Sequence, residues 1–163
     1  MSWLWRRVAE VQLAFMLLTR LPAGRLEGVA PELSAAKWAF PLAGLVVGGS
    51  LAGVYIAMNS LGLPAELAAI LALGAGMMMT GGLHEDGLAD CADGFGGGQT
   101  KDQKLAIMKD CRVGSYGVLA LILVIAARIM ALAALPATAQ SLMSLISLAM
   151  VSRMIMVVYL NWL

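Results

Sequence analysis

The chain has 163 residues, of which 61% are hydrophobic and 13% charged, and its mean hydropathy is +0.85. A soluble globular domain has about 45–50% apolar and about 25% charged residues. The composition therefore excludes an ordinary soluble domain and indicates a polytopic membrane protein. The formal net charge is only +1. No basic domain or RNA-binding strand is visible in the sequence, so no nucleic-acid partner is expected.

The N-terminal region combines arginines with a short apolar run. Arg6 and Arg7 precede the run at residues 11–18, and Arg20 follows it directly. The run is too short for a membrane span, and no small-residue cleavage site follows it, which argues against a signal peptide. We predict a retained helix that is partly buried or lies at the membrane interface.

Four later segments are apolar over a length sufficient to cross a bilayer, which takes about 20 residues per helix. They cover residues 36–61, 65–83, 113–135 and 141–163. Turn-forming residues, including Pro64 and Pro136, separate them. The predicted fold class is all-α, with residues 1–163 forming one integral membrane domain, a polytopic helix bundle.

Glycines in the first of these segments indicate close helix packing. Gly44 and Gly48 are four residues apart, as are Gly49 and Gly53. This GxxxG spacing lets helix backbones approach closely. Homo-oligomerisation is left open, because the spacing does not distinguish packing within one chain from packing between chains.

Basic residues alternate between the loops in register with four crossings. They occur before the first span (Arg6, Arg7, Arg20, Arg25, Lys37) and between the second and third spans (Lys101, Lys104, Lys109, Arg112). The connections at residues 59–64 and 136–140 have none. Short loops rich in Lys and Arg face the cytoplasm. The pattern predicts a multi-pass protein of the cytoplasmic (inner) membrane, with the N-terminus and the polar segment 80–112 on the cytoplasmic side.

The stretch TGGLHEDGLADCADGFGGG, Thr80 to Gly98, concentrates acidic residues after an apolar run. Asp86, Asp90 and Asp93 have the spacing i, i+4, i+7, so on a helix they fall within about 60° of one another. Like charges at this spacing destabilise a helix unless a cation lies between them. Carboxylates without a Cys/His set favour Mg²⁺, Mn²⁺ or Ca²⁺ over zinc. The alternative interpretation is a solvated acidic loop.

Neighbours of the aspartates are further candidates. Glycines such as Gly87 and Gly94 leave room for a ligand, and Glu85 is a weaker candidate metal ligand because it points about 100° away from Asp86. His84 has a near-neutral side-chain pKa, so acid–base work, a hydrogen bond to an aspartate and a structural role all stay open.

The basic residues that follow the acidic stretch have two interpretations. Lys104, Lys109 and Arg112 are either an orientation signal or clamps for phosphate beside a bound divalent metal. Asp110 is either another metal ligand or the partner of Lys109 or Arg112. Thr100 and Gln103 have the spacing of a capping box, which predicts a short helix over residues 100–111.

Two arginines lie near the middle of predicted spans, Arg128 in the third and Arg153 in the fourth. Charges at membrane depth face a bundle interior, a water-filled cavity or a counter-ion. We expect a polar cavity that also receives an anionic substrate.

The sequence resembles the cobalamin synthase (adenosylcobinamide-GDP ribazoletransferase) family over essentially its whole length. The acidic stretch followed by KLAIMKDCRVGSYGVLAL carries the resemblance, supported by LLTRLPAG, FPLAGLVVGG and VSRMIMVVYL. Arg20 lies in the first of the supporting stretches and Arg153 in the last, and both are candidate substrate-binding residues. Family members continue with further apolar helices, so the resemblance implies that this chain lacks C-terminal helices of the full family.

The resemblance implies a Mg²⁺-dependent membrane enzyme. Its reaction joins adenosylcobinamide-GDP to α-ribazole or α-ribazole 5′-phosphate and releases GMP. Asp86, Asp90 and Asp93 would hold one or two Mg²⁺ ions on the diphosphate, Lys109 and Arg112 would bind the departing GMP, and an aspartate or His84 would take the hydroxyl proton.

Three other classes of protein are alternatives. A CDP-alcohol phosphotransferase would carry DGxxAR, but here Asp86-Gly87 is followed by Leu88-Ala89-Asp90. A divalent-cation transporter would need acids within its spans, whereas these lie at the end of one. A non-enzymatic membrane scaffold would not explain why the acidic side chains converge on one face.

Overall fold

The computed structural model describes residues 3–26 and 28–162, and within these ranges the chain is helical with no β-strand. The α-helices are α1 (Trp3–Leu18), α2 (Leu33–Ala36), α3 (Phe40–Ser60), α4 (Ala65–Thr80), α5 (Leu83–Gly97), α6 (Lys101–Met108), α7 (Ser115–Ala133) and α8 (Ala139–Trp162). A short 3-10 helix, Lys37–Ala39, joins α2 to α3. The predicted all-α fold class is confirmed.

Three helical segments of the described chain are long and apolar enough to cross a membrane. They are Leu33–Ser60, Ser115–Ala133 and Ala139–Trp162, with mean hydropathies of 1.7, 2.3 and 1.9. They overlap the first, third and fourth segments predicted from the sequence. The protein is therefore a polytopic membrane helix bundle.

The region predicted as the second span, residues 65–83, is not one straight helix. α4 ends at Thr80, α5 begins at Leu83, and the two helices are bent by 89°. Gly81 and Gly82 adopt left-handed conformations, with φ of 69° and 72°, which an L side chain would disfavour. The amide N–H of Gly82 donates to Met77 O at 2.9 Å, closing the end of α4 as in a Schellman motif. Two consecutive glycines thus create a sharp corner where the apolar pattern predicts a continuous span.

α3 lies at the centre of the bundle, between α4 and α8. A Cβ atom on Gly44 would lie 2.6 Å from the carbonyl oxygen of Ala149, and one on Gly48 would lie 2.8 Å from the Ala149 Cβ. Gly49 and Gly53 face open space. Only the first GxxxG pair therefore lets two backbones approach closely, those of α3 and α8.

Two apolar clusters fix the remaining helices on α3. Around Tyr55 the buried residues come from α3, α4 and α7: Ala68, Ala69, Ala72, Leu73 and Leu132. The Tyr55 hydroxyl is satisfied by donating to Leu135 O at 2.8 Å. In the second cluster Ala14 and Leu18 of α1 pack on Phe40 and its neighbours. The other face of α1 is exposed, including Trp3 and Trp5, so α1 is the partly buried N-terminal helix that was predicted.

Candidate active site at the α4–α5 corner

The connection after α1 closes against the α4–α5 corner. The Arg20 amide N–H donates to Met79 O at 2.7 Å. The Arg20 side chain lies directly against Gly81, where a Cβ atom would collide with it. Arg20 and Asp86 both line a cleft of about 640 Å³ at this corner. The fold therefore brings Arg20 and Asp86, which are far apart in sequence, to one cleft.

The three aspartates lie on one helix, α5, but in different surroundings. Asp86 is exposed and Asp90 is partly buried, while Asp93 is buried. Among the described residues, neither Asp86 nor Asp90 makes a side-chain hydrogen bond or an ion pair. These two carboxylates, four residues apart on one face of α5, keep their lone pairs available for a ligand.

Asp93 is turned to the start of α7. Its Oδ2 accepts a hydrogen bond from the Gly114 amide at 2.7 Å, and its Oδ1 accepts one from the Gly117 amide at 2.9 Å. Both glycines must be glycine here, because a Cβ on either would collide with the carboxylate. Asp93 therefore caps a helix N-terminus across two elements, where free amides and the helix dipole favour a negative charge.

The position of Asp93 changes the predicted metal site. Within residues 3–26 and 28–162, no group of three or more His, Cys, Asp or Glu side chains is arranged to hold a metal ion. The structure does not bring all three aspartates together around one point, because the α7 amides occupy Asp93. The remaining donors still fit Mg²⁺, which is usually held by one or two carboxylates with water and substrate phosphate completing its octahedron. Asp86 and Asp90 are such a pair.

Glu85 and His84 face the bundle interior and meet the two intramembrane arginines. Arg128 Nη1 donates to Glu85 Oε1 at 2.7 Å. Arg153 Nη2 lies 3.2 Å from His84 Nε2. A guanidinium only donates, so His84 Nε2 is the acceptor and the imidazole is neutral with its proton on Nδ1. Glu85 thus has an arginine as its partner, rather than a place beside Asp86 in the predicted metal site.

These four side chains form one end of a cavity of about 450 Å³ inside the bundle. The rest of its lining comes from α3, α4, α7, the turn after α7, and α8: Val47, Gly48, Leu51, Leu73, Gly76, Met77, Thr80, Ala131, Leu132, Leu135, Leu145, Leu148, Ala149 and Ser152. The polar cavity expected around Arg128 and Arg153 is therefore polar at one end only. The sequence pattern does not predict the ion pair of Arg128 with Glu85, although an acid directly after one span and an arginine within another are candidate partners.

The predicted phosphate clamps lie on and after α6. The Arg112 side chain chelates Asp110, with Nη2 2.7 Å from Oδ2 and Nε 3.1 Å from Oδ1. Hydrogen bonds from this side chain lower the pKa of the Asp110 carboxyl. Of the two predicted roles for Asp110, the structure shows the ion pair. Lys109 is exposed, and Lys104 Nζ lies 4.8 Å from the centre of the Phe95 ring, a cation–π contact.

The two candidate glycines also differ. Gly87 is exposed, and nothing lies within 4 Å of where its Cβ would be. Gly94 is buried, and a Cβ there would lie 2.6 Å from Met108 Cε. Gly94 therefore allows α6 to pack on α5, while Gly87 alone leaves open space. The predicted capping box is present: the Gln103 amide donates to Thr100 Oγ1 at 3.3 Å, and the Thr100 amide donates to Gln103 Oε1 at 3.1 Å.

The fold and the site define a class: a polytopic membrane protein with carboxylates and an arginine gathered at a break between two helices. The family model described as cobalamin-5-phosphate synthase matches residues 10–163. The chain therefore belongs to the cobalamin-5-phosphate synthase family.

Relatives named adenosylcobinamide-GDP ribazoletransferase are similar to most of the chain. The protein from Bradyrhizobium diazoefficiens is 50% identical over 129 residues, covering 78% of this chain and 50% of that protein. The protein from Azorhizobium caulinodans is 42% identical over 154 residues, covering 91% and 58%. The chain thus spans about half the length of the curated relatives it matches. No solved structure matches it.

Proposed function

We propose that this chain forms the catalytic centre of an adenosylcobinamide-GDP ribazoletransferase. The observation that carries the proposal is the α4–α5 corner, where Asp86 lines a cleft together with Arg20. Asp86 and Asp90, one turn apart on α5, make no side-chain hydrogen bond or ion pair to any described residue. The names of the relatives support the substrates, adenosylcobinamide-GDP and α-ribazole or its 5′-phosphate. The products are adenosylcobalamin, or its phosphate, and GMP.

The reaction transfers the adenosylcobinamide-phosphate group. A hydroxyl oxygen of α-ribazole forms a bond to the phosphorus attached to cobinamide, and the bond between that phosphorus and the bridging oxygen of GMP breaks. The hydroxyl proton passes to a base, and the electron pair of the broken bond leaves with GMP. Two carboxylates, one arginine and nearby lysines suit such a transfer, because it requires positioning and charge stabilisation.

Asp86 and Asp90 would hold Mg²⁺, which when bound neutralises charge on the diphosphate. Arg20 would bind a phosphate oxygen across the cleft, since its guanidinium offers paired donors. Lys104, Lys109 and Arg112 would attract the anionic substrate to this side of the membrane. Asp93 would not contact the substrate, and its two hydrogen bonds would hold α7 against α5. An aspartate of α5, Asp86 or Asp90, would accept the hydroxyl proton, because the one free lone pair of the His84 ring already accepts from Arg153.

We place this site on the cytoplasmic side of the cytoplasmic membrane. The Lys and Arg residues on either side of the corner support that orientation. The substrates are large, charged and nucleotide-derived, which also favours a site open to the cytoplasm.

Turnover tests the proposal directly. Membranes containing the chain are incubated with adenosylcobinamide-GDP, α-ribazole and Mg²⁺, and adenosylcobalamin and GMP are quantified. We expect Asp86→Asn and Asp90→Asn to lower turnover by at least about 100-fold, because each removes a candidate ligand of the metal. Asp102→Asn is the matched control, since Asp102 is an exposed carboxylate in the first turn of α6 outside the cleft. Equal activity in all variants would contradict the assignment.

Metal binding gives a second readout that does not depend on turnover. Mn²⁺ can replace Mg²⁺ at oxygen sites and is detected by electron paramagnetic resonance. We expect bound Mn²⁺ in the wild-type chain with a non-reactive diphosphate and its loss in the Asp86→Asn, Asp90→Asn double variant. Unchanged Mn²⁺ binding in the double variant would place the metal elsewhere.

A further inference from the structure

The cavity inside the bundle has no task in the proposed phosphoryl transfer, yet it adjoins the cleft where that transfer would occur. Its volume of about 450 Å³ lies within the roughly 300–1,000 Å³ typical of small-molecule sites. Thr80 and Glu85 line both the cavity and the cleft that contains Asp86. A molecule in the cavity would therefore present one end at the α4–α5 corner.

The lining of the cavity is divided by polarity. Most of its wall is aliphatic, contributed by residues such as Leu51, Leu73, Leu132 and Leu145. Its polar groups are gathered at the end near the corner. A ligand that fits must have an apolar body and one polar end, because burying further polar groups against this wall would leave them without hydrogen bonds.

Two buried atoms at the polar end lack partners. Within the part of the chain that the structure describes, Glu85 Oε2 and Arg153 Nε make no hydrogen bond. Arg153 is only 8% exposed, so burial separates its unpaired N–H from solvent. A buried group without a hydrogen bond destabilises the protein, and more so when it is charged. One free acceptor and one free donor, on two residues that both line the cavity, match the two functions of a hydroxyl group.

We propose that this cavity binds the acceptor substrate, an aromatic nucleoside, with its base among the aliphatic side chains and its ribose hydroxyls at Glu85 and Arg153. The inference rests on the proposed function for the identity of the nucleoside. A planar heteroaromatic base supplies the apolar body, and a ribose hydroxyl supplies both a donor for Glu85 Oε2 and an acceptor for Arg153 Nε. Arg128 is a positioning residue, since its ion pair with Glu85 Oε1 leaves Oε2 free to bind the ribose.

The position of the cavity also explains how two very different substrates reach one phosphorus atom. The diphosphate would approach from the cleft that contains Arg20 and Asp86, while the nucleoside would approach from the bundle side. His84 stands at the polar end of the cavity, on the same helix as Asp86. The hydroxyl and the phosphorus would meet at the corner itself.

Direct binding separates this inference from the activity. Labelled α-ribazole is titrated against the chain in lipid nanodiscs, without the second substrate. Ala131 lines the cavity, and Ala127, one turn earlier on α7, is exposed and does not. We expect Ala131→Phe to weaken binding by at least about tenfold, a loss of about 1.4 kcal/mol, and Ala127→Phe to leave it unchanged.

A second pair of variants tests the cavity independently, in case Ala131→Phe does not fold. Leu148 on α8 lines the cavity and is 67% exposed, and Leu123 on α7 is 69% exposed and lies outside it. Leu148→Trp should weaken α-ribazole binding as Ala131→Phe does, and Leu123→Trp should not. In an active preparation, both cavity variants should raise the KM for α-ribazole and leave the KM for adenosylcobinamide-GDP unchanged.

The outcomes are distinguishable. Binding that is lost in the cavity variants supports the inference even if no cobalamin forms, and the absence of cobalamin would then contradict the proposed function alone. Normal α-ribazole binding in both cavity variants overturns the inference and leaves the proposed function standing. No binding to the wild-type chain also overturns it, and co-purified phospholipid that is lost in Ala131→Phe would then assign the cavity to lipid.

Discussion

The carboxylates of α5 illustrate how neighbouring residues of one type acquire different tasks. Asp86 is exposed and has no hydrogen-bond partner in the part of the chain that the structure describes, whereas Asp93 is buried and receives two backbone hydrogen bonds from the start of α7. The same functional group is thus available to a ligand at one position and committed to the fold at the other. The two tasks can be separated by measuring stability rather than activity.

Asp93→Ala should destabilise the protein, because the Gly114 and Gly117 amides would lose their acceptor. Loss of a helix N-terminal acceptor costs about 0.5–2 kcal/mol, and the buried position of Gly117 favours the upper end of that range. Asp86→Ala is the matched control and should leave the thermal unfolding midpoint in detergent nearly unchanged. Equal shifts in the two variants would show that Asp93 does not cap α7.

Glu10 is a second buried carboxylate with a structural task. It accepts a hydrogen bond from Trp38 Nε1 at 2.7 Å and forms ion pairs with Arg7 at 2.7 Å and Arg6 at 3.3 Å. The hydrogen bond from Trp38, together with those from the arginines, holds the pKa of the Glu10 carboxyl below its ordinary value of 4.5. Glu10 thereby ties α1 to the 3-10 helix that leads into α3.

This lowered pKa predicts how Glu10 contributes to stability as pH changes. A carboxyl whose pKa is lower in the folded state stabilises the protein fully above its unfolded-state pKa, and this contribution is lost as pH falls through the folded-state pKa. The unfolding midpoint of the wild type should therefore exceed that of Glu10→Gln at about pH 7, and the difference should shrink as pH falls below about 4. A difference that is independent of pH would contradict the ionic role of Glu10.

At the scale of the elements, the α4–α5 corner depends on two left-handed glycines. Gly82 has φ of 72°, and nothing lies within 4 Å of where its Cβ would be. Gly82→Ala therefore tests backbone strain without a steric collision, and we expect a destabilisation of about 1–2 kcal/mol. Gly74→Ala is the matched control, because Gly74 also faces open space but is helical. Gly74→Ala should stabilise α4 slightly. If Gly82→Ala is as stable as Gly74→Ala, the left-handed backbone at position 82 does not strain an alanine.

The contact between α3 and α8 yields another element-scale prediction. Gly44→Ala would place a Cβ 2.6 Å from the Ala149 carbonyl oxygen, whereas a Cβ at Gly53 of the same helix meets nothing within 4 Å. Gly44→Ala should separate the helices and lower the unfolding midpoint, while Gly53→Ala should not. Similar midpoints for the two variants would show that α3 and α8 can shift apart without cost.

Local signals in the sequence were sufficient for some elements and not for others. The capping box at Thr100 and the apolar segments were predictable, because they depend on neighbours within a few residues or on composition alone. The structural role of Asp93 was not predictable, because its partners Gly114 and Gly117 lie 21 and 24 residues further along the chain, beyond α6. The corner at Gly81 and Gly82 was missed for a related reason: a glycine pair permits a left-handed turn without requiring it, and the packing of Arg20 on Gly81 is a tertiary contact.

At the scale of the whole molecule, burial divides the membrane helices into a centre and a periphery. Within an 18-residue apolar stretch of each span, 44% of the residues are buried inside the protein in Leu33–Ser60, but only 11% in Ser115–Ala133 and in Ala139–Trp162. Exposed side chains on α7 and α8 are mainly apolar, including Leu123 and Ile155, as expected for helices that contact lipid. α3 therefore organises the bundle, and the bilayer contributes much of the apolar surroundings of α7 and α8.

The orientation of this bundle is testable with its own cysteines. Cys91 on α5 and Cys111 before α7 are both free and exposed, and the distribution of Lys and Arg predicts that both face the cytoplasm. A membrane-impermeant maleimide should therefore label the wild-type chain in inverted membrane vesicles but not in intact spheroplasts. In a variant with both cysteines replaced by Ser, a cysteine introduced as Ser60→Cys, at the exposed C-terminal end of α3, should show the opposite pattern. Labelling of Cys91 and Cys111 from outside intact cells would invert the orientation and remove the proposed site from the cytoplasmic pool of nucleotide substrates.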